Sequence, residues 1–275
     1  MLKDITLGQF FPIESPIHRL DPRVKILSAF IYIVAVFLAK GFLGYLLIGL
    51  FTFGVIRASK VPLKMVFKGL KPLVFLIVFT SAINLFLTNG EILYVANIPL
   101  KLGFLKVTKE GLIIAAKMSL RLIFLVMGTS LLTYTTSPIL LTDGIESLLS
   151  PFKKIGMPAH ELAMMMTIAI RFIPTLLEET DKIMKAQMAR GADFESGNLI
   201  RRVKALIPIL VPLFISSFRR ADELAVAMEC RCYRGGKGRT RMRELKIAGR
   251  DYAAVTAILL FTAAIVLINQ FLEIL

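Results

Sequence analysis

Long runs of uncharged apolar residues constrain the fold of this 275-residue chain more than any other feature. A helix needs about 20 apolar residues to cross the hydrocarbon core of a bilayer, which is about 30 Å thick. Five runs approach or reach that length: residues 26–39, 41–56, 72–90, 122–142 and 252–272. Hydrophobic residues make up 56% of the chain, more than the roughly 45–50% typical of a soluble domain. The sequence therefore predicts an all-α integral membrane protein with about five transmembrane helices.

The ends of some of these spans need adjustment. The first two runs are the shortest, and Lys40 separates them. A lysine at the turn of a hairpin can extend its ammonium group to the lipid headgroups, so we expect two spans that meet near Lys40. The fourth span is expected to begin earlier than its run, near Gly111, and to end at residue 142.

Two further apolar stretches are not assigned as full spans. Residues 162–170 are followed at once by Arg171, and residues 205–218 contain Pro208 and Pro212. A proline removes one hydrogen bond from a helix. Either stretch could instead form a membrane-embedded or interfacial helix.

The distribution of positive charge predicts the orientation. Residues 57–71 carry five basic residues and no acid, and such a short loop is expected on the cytoplasmic side. Alternation then places the N-terminus inside, Lys40 and residues 91–110 outside, residues 143–250 inside, and Leu275 outside. This arrangement puts 28 of the 34 basic residues inside. The segment 1–25 lacks the pattern of a cleaved signal peptide, and we expect a multi-pass protein of the cell (inner) membrane.

Three regions follow from this topology. Residues 1–142 form an N-terminal membrane region with four spans and, within residues 91–110, a small hairpin on the outside. Residues 143–250 form a cytoplasmic or interfacial region with the charge density of a soluble domain. Residues 251–275 form the last transmembrane helix.

The cytoplasmic region is predicted to contain two long amphipathic helices. Apolar residues recur at steps of three and four over roughly residues 174–192 and again over 214–233, the spacing of a helix with one apolar face. The first helix is expected to end at a glycine and the second at a glycine-rich stretch: Gly191 for the first, and Gly235, Gly236 and Gly238 for the second.

Each helix ends in an arginine between two small residues: Ala189, Arg190 and Gly191 in the first, and Cys230, Arg231 and Cys232 in the second. The planar guanidinium can form a bidentate bond with a carboxylate in a groove, and small neighbours allow close approach. The alternative is that each arginine only neutralises the dipole of its own helix. Because the arrangement occurs twice, we favour docking onto two sockets.

The sequence contains incomplete versions of motifs for catalysis and for cofactor binding. Residues 234–240 imitate a phosphate-binding loop, but Lys237 is followed by glycine. His160 and Glu161 begin a zinc-protease pattern whose second histidine is replaced by Met164. Cys230 and Cys232 alone are a weak metal site. We therefore expect no enzyme activity, no catalytic residues, no metal and no cofactor. Topology accounts for the net charge of +15, so nucleic acid is not an expected partner.

Four stretches together resemble the transmembrane T component of energy-coupling factor (ECF) transporters, the cobalt-transport permease Q-type family: residues 15–25, 168–174, 186–191 and 221–235. The resemblance covers nearly the whole chain. It implies a non-catalytic membrane scaffold that joins two ABC-type ATPase subunits to a substrate-binding membrane subunit, the S component, for uptake of a vitamin or metal ion.

The resemblance also implies roles for particular residues. In this family two coupling helices end in Ala-Arg-Gly, and the arginine enters a groove on an ATPase subunit. Residues 189–191 match fully, whereas Cys230 and Cys232 replace alanine and glycine around Arg231, which leaves open whether the second end can adopt the glycine conformation. Apolar residues of the same helices are candidates for contact with the S component, beside the lipid bilayer: Met184, Phe214 and Phe218.

Two other functions stay open at this stage. A self-contained secondary carrier could use Lys117 and Arg121, which lie four residues apart within a span; the alternative is that both extend to the outer headgroups. A lipid-modifying enzyme is less favoured because no catalytic cluster is present. The transported substrate is not encoded in this sequence.

Overall fold

The structure is a computed structural model that describes residues 10–88, 94–95, 98–99, 101–102, 105–106, 108–194, 199–235 and 245–274. The chain divides into two compact units. We call Gly8–Gly144 with Leu245–Leu275 the bundle unit, and Ile145–Glu244 the long-helix unit.

Helices make up most of the described residues. The bundle unit contains α1 (Pro22–Leu38), α2 (Phe42–Ser59), α3 (Leu63–Leu70), α4 (Val74–Leu87), α5 (Lys109–Thr135) and α9 (Gly249–Ile274), and a 3₁₀ turn at Lys71–Leu73 joins α3 to α4. The helix α6 (Pro138–Leu149) begins in the bundle unit. A 3₁₀ segment (Ser150–Ile155), α7 (Ala159–Ala189) and α8 (Leu199–Cys230) follow.

Short strands occupy the segment between α4 and α5, where a hairpin was predicted. Strand β1 (Tyr94–Val95) pairs antiparallel with β2 (Ile98–Pro99), and β3 (Lys101–Leu102) pairs antiparallel with β4 (Leu105–Lys106). The rest of residues 91–107 lies outside the described residues. Where the structure describes this segment, it therefore contains two small hairpins.

Five helical segments of the described chain are long and apolar enough to cross a membrane: α2, Leu63–Leu87, α5, α7 and α9. Four of them coincide with predicted spans, and the all-α membrane fold is confirmed. The first predicted span falls in α1, whose 17 residues are fewer than those of any of the five. The stretch 162–170, which is not predicted to be a full span, lies within the 31-residue α7, which Arg171 does not interrupt and which is long and apolar enough to cross a membrane.

The predicted end of the fourth span at residue 142 is wrong. The helix α5 ends at Thr135, because Thr136 is extended (φ −133°, ψ 124°) and Pro138 begins α6. At its start, the Thr108 hydroxyl accepts a hydrogen bond from the N–H of Gly111 at 3.1 Å, which is a helix N-cap. The helix therefore begins just before the predicted Gly111.

Both long helices begin about four turns earlier than predicted, at residues 159 and 199 instead of 174 and 214. Pro174 lies inside α7, and Pro208 and Pro212 lie inside α8. Each proline removes one N–H from the helical ladder, but the neighbouring turns stay hydrogen-bonded and the helix continues. Residues 205–218 are therefore helical throughout.

One end of the bundle unit brings together the starts of α1 and α9 and the end of α5. The Lys25 ammonium donates to the carbonyl of Thr135 at 2.8 Å. The Asp251 carboxylate accepts the backbone N–H of Asp21 at 2.8 Å, and Asp251 is 1% exposed. We call this the Asp251 end. The helices α1 and α9 thus run parallel, and α5 runs against them.

The opposite end, which we call the Lys40 end, joins the other helix termini. The Lys40 N–H donates to the Asn269 side chain at 3.3 Å, where α1 and α9 finish. The Thr108 hydroxyl donates to the carbonyl of Thr88 at 2.9 Å, where α4 finishes and α5 begins. The spans of the bundle unit therefore alternate in direction, as the sequence predicts.

The chain leaves and re-enters the bundle unit beside the same turn of α1. At the exit, Gly144 packs so closely on α1 that an added Cβ would lie 3.1 Å from Pro22 Cβ. At the re-entry, the Arg23 guanidinium donates to the carbonyl of Leu245 at 3.1 Å. Both junctions are therefore at the Asp251 end.

Candidate docking site

The C-terminus of α7 forms a complete Schellman motif. Gly191 has φ +89°, and its N–H donates to the Met188 carbonyl at 2.9 Å. The N–H of Ala192 donates to the Gln187 carbonyl, also at 2.9 Å. These two bonds satisfy carbonyls that a helix end otherwise leaves free. Arg190 is the C-cap residue and immediately precedes the left-handed turn.

The C-terminus of α8 repeats this geometry. Cys232 has φ +56°, and its N–H donates to the Glu229 carbonyl at 2.8 Å. The N–H of Tyr233 donates to the Met228 carbonyl at 3.0 Å. Arg231 therefore holds the position in α8 that Arg190 holds in α7.

The question of the missing glycine is answered by the backbone of Cys232, which adopts the left-handed conformation. That conformation costs a residue with a Cβ about 1–2 kcal/mol. The prediction that Gly235, Gly236 and Gly238 stop the second helix is wrong, because α8 ends at Cys230 and the turn at Cys232 closes it. Gly236 and Gly238, with most of the phosphate-loop imitation, lie outside the described residues.

All six residues of the two ends are exposed: Ala189, Arg190, Gly191, Cys230, Arg231 and Cys232. Among the residues that the structure describes, neither Arg190 nor Arg231 forms an ion pair. Both cysteines are free thiols. The two guanidinium groups are therefore available to an acceptor on another molecule.

A polar cluster ties α7 to α8. One oxygen of the Glu179 carboxylate accepts a hydrogen bond from the Ser216 hydroxyl at 2.8 Å, and the other pairs with the Arg220 guanidinium at 2.5 Å. Ser216 and Arg220 are four residues apart and share one helix face. Sequence reasoning missed this cluster, because the spacing in α8 gives no sign of which residue of α7 it would meet.

A second contact depends on a proline. Pro212 has no N–H, so the carbonyl of Pro208 lacks its helical partner. The Gln187 side-chain amide of α7 donates to that carbonyl at 3.5 Å. Because the later contact on α7 meets the earlier residue on α8, the two helices run in opposite directions.

The two arginines are consequently far apart. Arg190 follows Gln187 within one helical turn, whereas Arg231 follows Pro208 by more than six turns. At about 1.5 Å per helical residue, the interval from Pro208 to Arg231 is about 35 Å. The two ends cannot enter one groove.

The candidate residues for S-component contact differ in accessibility. Phe214 and Phe218 are 67% and 59% exposed, and their rings meet edge to face with centroids 4.9 Å apart. Met184 is only partly exposed. The α8 surface around the two phenylalanines is also apolar and exposed: Ile207, Leu210, Val211 and Ile215.

Lys117 and Arg121 lie toward the Lys40 end, each over a different aromatic ring. The Lys117 ammonium is 5.9 Å from the ring centre of Phe42, and the Arg121 guanidinium is 5.5 Å from that of Phe37. Cation–π contacts of this kind stabilise a charge locally. Phe37 lies near the end of α1 and Phe42 at the start of α2, so both contacts are made with residues close to the Lys40 end.

A cavity of about 240 Å³ lies elsewhere in the bundle unit, and neither Lys117 nor Arg121 lines it. Its lining is mostly apolar and comes from α1, α2, α5 and α9, including Tyr32, Thr52 and Gly128. This cavity is therefore not a binding site built around the two cations of the carrier hypothesis.

The fold and these two helix ends define a class: a helical, multi-pass membrane protein with a pair of exposed arginine-tipped helices. Comparison with known proteins narrows this class. The family described as cobalt transport protein, CbiQ, matches residues 14–242.

Curated relatives agree with that match. The chain is 65% identical over 255 residues to the energy-coupling factor transporter transmembrane protein EcfT of Clostridium kluyveri, covering 92% of this chain and 93% of the relative. It is 53% identical over 269 residues to the protein of the same name from Ruminiclostridium cellulolyticum, with 98% of each covered. The Bacillus subtilis protein of that name is 48% identical over 264 residues, covering 96% and 97%.

The chain therefore belongs to the family of energy-coupling factor transporter transmembrane proteins, which confirms the resemblance seen in its sequence. It is a non-catalytic membrane component of a transporter.

Proposed function

We propose that this chain is the scaffold that transmits the motion of two ABC-type ATPase subunits to a substrate-binding S component. The observation that carries the proposal is the equivalence of the two helix ends. Arg190 and Arg231 occupy the same C-cap position in two Schellman motifs with the same hydrogen bonds. Two equivalent, widely separated ends fit two similar sockets, one on each of two homologous subunits.

The chemistry of each end suits a carboxylate-lined groove. A guanidinium can form two parallel charge-assisted hydrogen bonds with one carboxylate. Ala189 and Gly191 add almost no side-chain bulk beside Arg190. Around Arg231 the cysteines are larger, and the second socket is expected to be slightly wider.

Neutralisation of the helix dipole is the simpler alternative for both arginines. A cation at a helix C-terminus contributes about 0.3–1 kcal/mol, and this effect needs neither small neighbours nor a repeated left-handed turn. Charge reversal distinguishes the two roles, because a dipole role predicts local fraying and a docking role predicts loss of the partner.

Transmission requires that the two helices move together, and the Glu179 cluster supports this. A force on either arginine reaches the other helix through Ser216 and Arg220. The exposed rings of Phe214 and Phe218 lie on the same segment of α8, where an apolar S component would pack. ATPase closure would then displace that surface.

In the proposed topology the Asp251 end is cytoplasmic. Both junctions to the long-helix unit lie there, and so does the basic corner between α2 and α4. The N-terminus is then inside and the C-terminus outside. Although α7 is long enough to cross, its charged half after Glu178 is assigned to the cytoplasm and its apolar half to the membrane or its interface. The S component selects the cargo, a vitamin or a metal ion.

Charge reversal at the helix ends tests the proposal. Arg190→Glu and Arg231→Glu, each expressed with the two ATPases and the S component, should reduce ATPase co-purification by roughly tenfold or more, because each loses a charge-assisted bond worth about 1.5–3 kcal/mol. Lys182→Glu, an exposed reversal in mid-helix, is the matched control and should retain both ATPases.

Two results would overturn the proposal that this chain is a scaffold between ATPases and an S component. One is wild-type ATPase stoichiometry in both arginine variants. The other is substrate uptake by the purified chain alone in liposomes, which would establish a secondary carrier.

A further inference from the structure

The corner between α2 and α4 concentrates positive charge. Five cations lie between positions 57 and 71, and no acidic residue occurs anywhere between Asp21 and Glu91. All five are exposed, and none forms an ion pair with a carboxylate in the described ranges: Arg57, Lys60, Lys64, Lys68 and Lys71. Positive charge at this corner is therefore uncompensated within the described chain.

Helix α3 presents three distinct stripes around its axis, because residues four apart share a face. Val66 and Leu70 are buried. Leu63 and Phe67 form the next stripe and are exposed, although both are large and apolar. The third stripe contains the exposed lysines 64 and 68. Around the helix axis, the buried stripe is followed by the exposed apolar stripe and then by the lysine stripe. A helix that lies at a membrane interface has this order.

The helix is held firmly in this orientation by α5. Val66 packs in a buried cluster with Leu131 and Tyr134. The Tyr134 hydroxyl donates to the carbonyl of Met65 at 3.1 Å. Gly69 faces the same helix so closely that a Cβ would lie 3.1 Å from the Tyr134 oxygen. The exposed stripes of α3 therefore have a fixed direction.

Lys60 occupies a backbone position that favours glycine. It ends α2 with φ +57°, and its N–H donates to the Arg57 carbonyl. The Ser59 hydroxyl, bonded to the Ile56 carbonyl at 2.7 Å, stabilises the corner. A glycine would adopt this conformation without strain, yet the residue here is a lysine, which adds a further exposed cation to the corner. Strained positions of this kind tend to occur at functional sites.

The length of the span and the charges at its α3 end together favour a position of the corner at the headgroups. The segment Leu63–Leu87 has 25 residues and is about 38 Å long as a helix, whereas the hydrocarbon core is about 30 Å thick. The α3 end carries Lys64 and Lys68, whose charges favour the headgroup region over hydrocarbon, so this end is assigned to the level of the lipid phosphates.

We propose that α3 and the Lys60 corner form a binding site for anionic phospholipids, with lysines 60, 64 and 68 contacting the phosphates and Leu63 and Phe67 contacting the acyl chains. The site would prefer phosphatidylglycerol over phosphatidylcholine with the same chains. Its occupant is the bilayer itself, and the site is separate from the helix ends that carry the proposed docking.

Native mass spectrometry of the full chain, purified in neutral detergent and titrated with each lipid, tests the site. The triple variant Lys60→Gln, Lys64→Gln, Lys68→Gln should lose phosphatidylglycerol affinity by about fivefold per lysine while phosphatidylcholine binding stays unchanged. A double variant that keeps Lys60 should lose an intermediate amount of phosphatidylglycerol affinity. Circular dichroism of both variants verifies that they fold. Adding salt should weaken only the phosphatidylglycerol complex.

Matched controls separate site binding from general charge. Substituting three exposed lysines elsewhere, Lys109, Lys182 and Lys246, by glutamine removes the same charge and should leave the lipid preference intact. Leu63→Ser with Phe67→Ser should weaken both lipids alike. Excess inorganic phosphate should not displace the lipid.

Three outcomes would overturn the proposal. An unchanged phosphatidylglycerol preference in the triple variant would show that these lysines serve another partner, such as an acidic protein surface. An equal loss of phosphatidylglycerol affinity in the triple control variant would show that net charge alone causes the effect. Displacement by inorganic phosphate would identify a free anion as the ligand.

Discussion

Glu179 and Arg220 join the two long helices by an ion pair whose atoms Oε2 and Nη2 are 2.5 Å apart, while the second carboxylate oxygen of Glu179 accepts from Ser216. The pair lies about midway between the two arginine-tipped ends along α7 and α8. Its side chains are 24% and 39% exposed, so that solvent screens it only in part.

A double-mutant cycle with Glu179→Ala and Arg220→Ala should give a coupling free energy of about 0.5–1 kcal/mol, measured by denaturation of the purified chain in detergent. The pair Asp181 and Lys185, within α7 at 3.3 Å and more exposed, is the control and should give less. A coupling no larger than that of the control would show that the polar cluster does not hold the helices together.

Loss of the Glu179 charge should separate ATPase binding from substrate transport. Glu179→Gln keeps both arginine ends intact, and the complex should still contain both ATPases, but uptake should fall, because motion of one helix is passed less fully to the other. Co-purification and uptake are measured on the same preparation. Loss of ATPases together with uptake would place Glu179 in docking instead.

Opposite substitutions at the two helix ends should have opposite effects on stability. Cys232→Gly removes a Cβ from a left-handed residue and should stabilise the α8 end by about 1 kcal/mol; Gly191→Ala should destabilise the α7 end by a similar amount. Hydrogen exchange of the amides of Ala192 and Tyr233, which close the two motifs, measures each effect. Changes of the same sign would contradict the equivalence of the two ends.

The free thiols report on the proposed docking directly. Cys230 and Cys232 are exposed in the isolated chain, so a maleimide should label both. In the assembled transporter the labelling should be suppressed, because the thiols flank the docked Arg231. The Arg231→Glu variant is the control and should be labelled with or without the ATPases. Full labelling of the wild-type complex would place the α8 end outside any socket.

Acidification should loosen the segment before α1. His18 is hydrogen-bonded through both ring nitrogens, to the Ser15 hydroxyl at 2.7 Å and to the Phe11 carbonyl at 3.0 Å. Burial, with a smaller contribution from the nearby positive charge of Lys25, lowers the pKa of His18 from 6.5, although the Phe11 hydrogen bond acts in the opposite direction.

Because the folded pKa lies below the unfolded one, the unfolded state binds more protons as the pH falls through 6.5, and stability is lost toward acid. Thermal unfolding of the purified chain should show a lower midpoint at about pH 5.5 than at about pH 7.5. The variant His18→Gln should flatten this dependence. An equal pH dependence in both proteins would assign it to other groups.

The sequence predicts most of the bundle unit because charged residues mark where the spans end. Lys25, Lys40 and Arg57 fall near the limits of α1 and α2, and the predicted alternation agrees with the contacts at the two bundle ends. The predicted fourth span extends too far, because a single extended residue, Thr136, followed by Pro138 divides one apolar run into two helices.

The long helices were harder to predict, because the signals used for their starts are local. Arg171 and the prolines at 174, 208 and 212 suggested breaks, yet both helices continue through them. Gln187 even pairs with the carbonyl that Pro212 leaves free. The conformation of Cys232 contradicts the usual preference for glycine. The partner of Glu179 belongs to a different helix, and no spacing rule identifies it.

The two junctions beside Pro22 and Arg23 have a topological consequence. A segment that departs and returns at one point can be excised without interrupting α1–α5 or α9, so the long-helix unit is an insertion within the chain of the bundle unit. Joining Gly144 to Leu245 through a short linker would remove the second half of α6 together with α7 and α8, and would leave α1–α5 and α9 whole. Such a truncated chain would insert in the membrane without either arginine tip, and it would allow lipid binding at α3 to be studied apart from energy coupling.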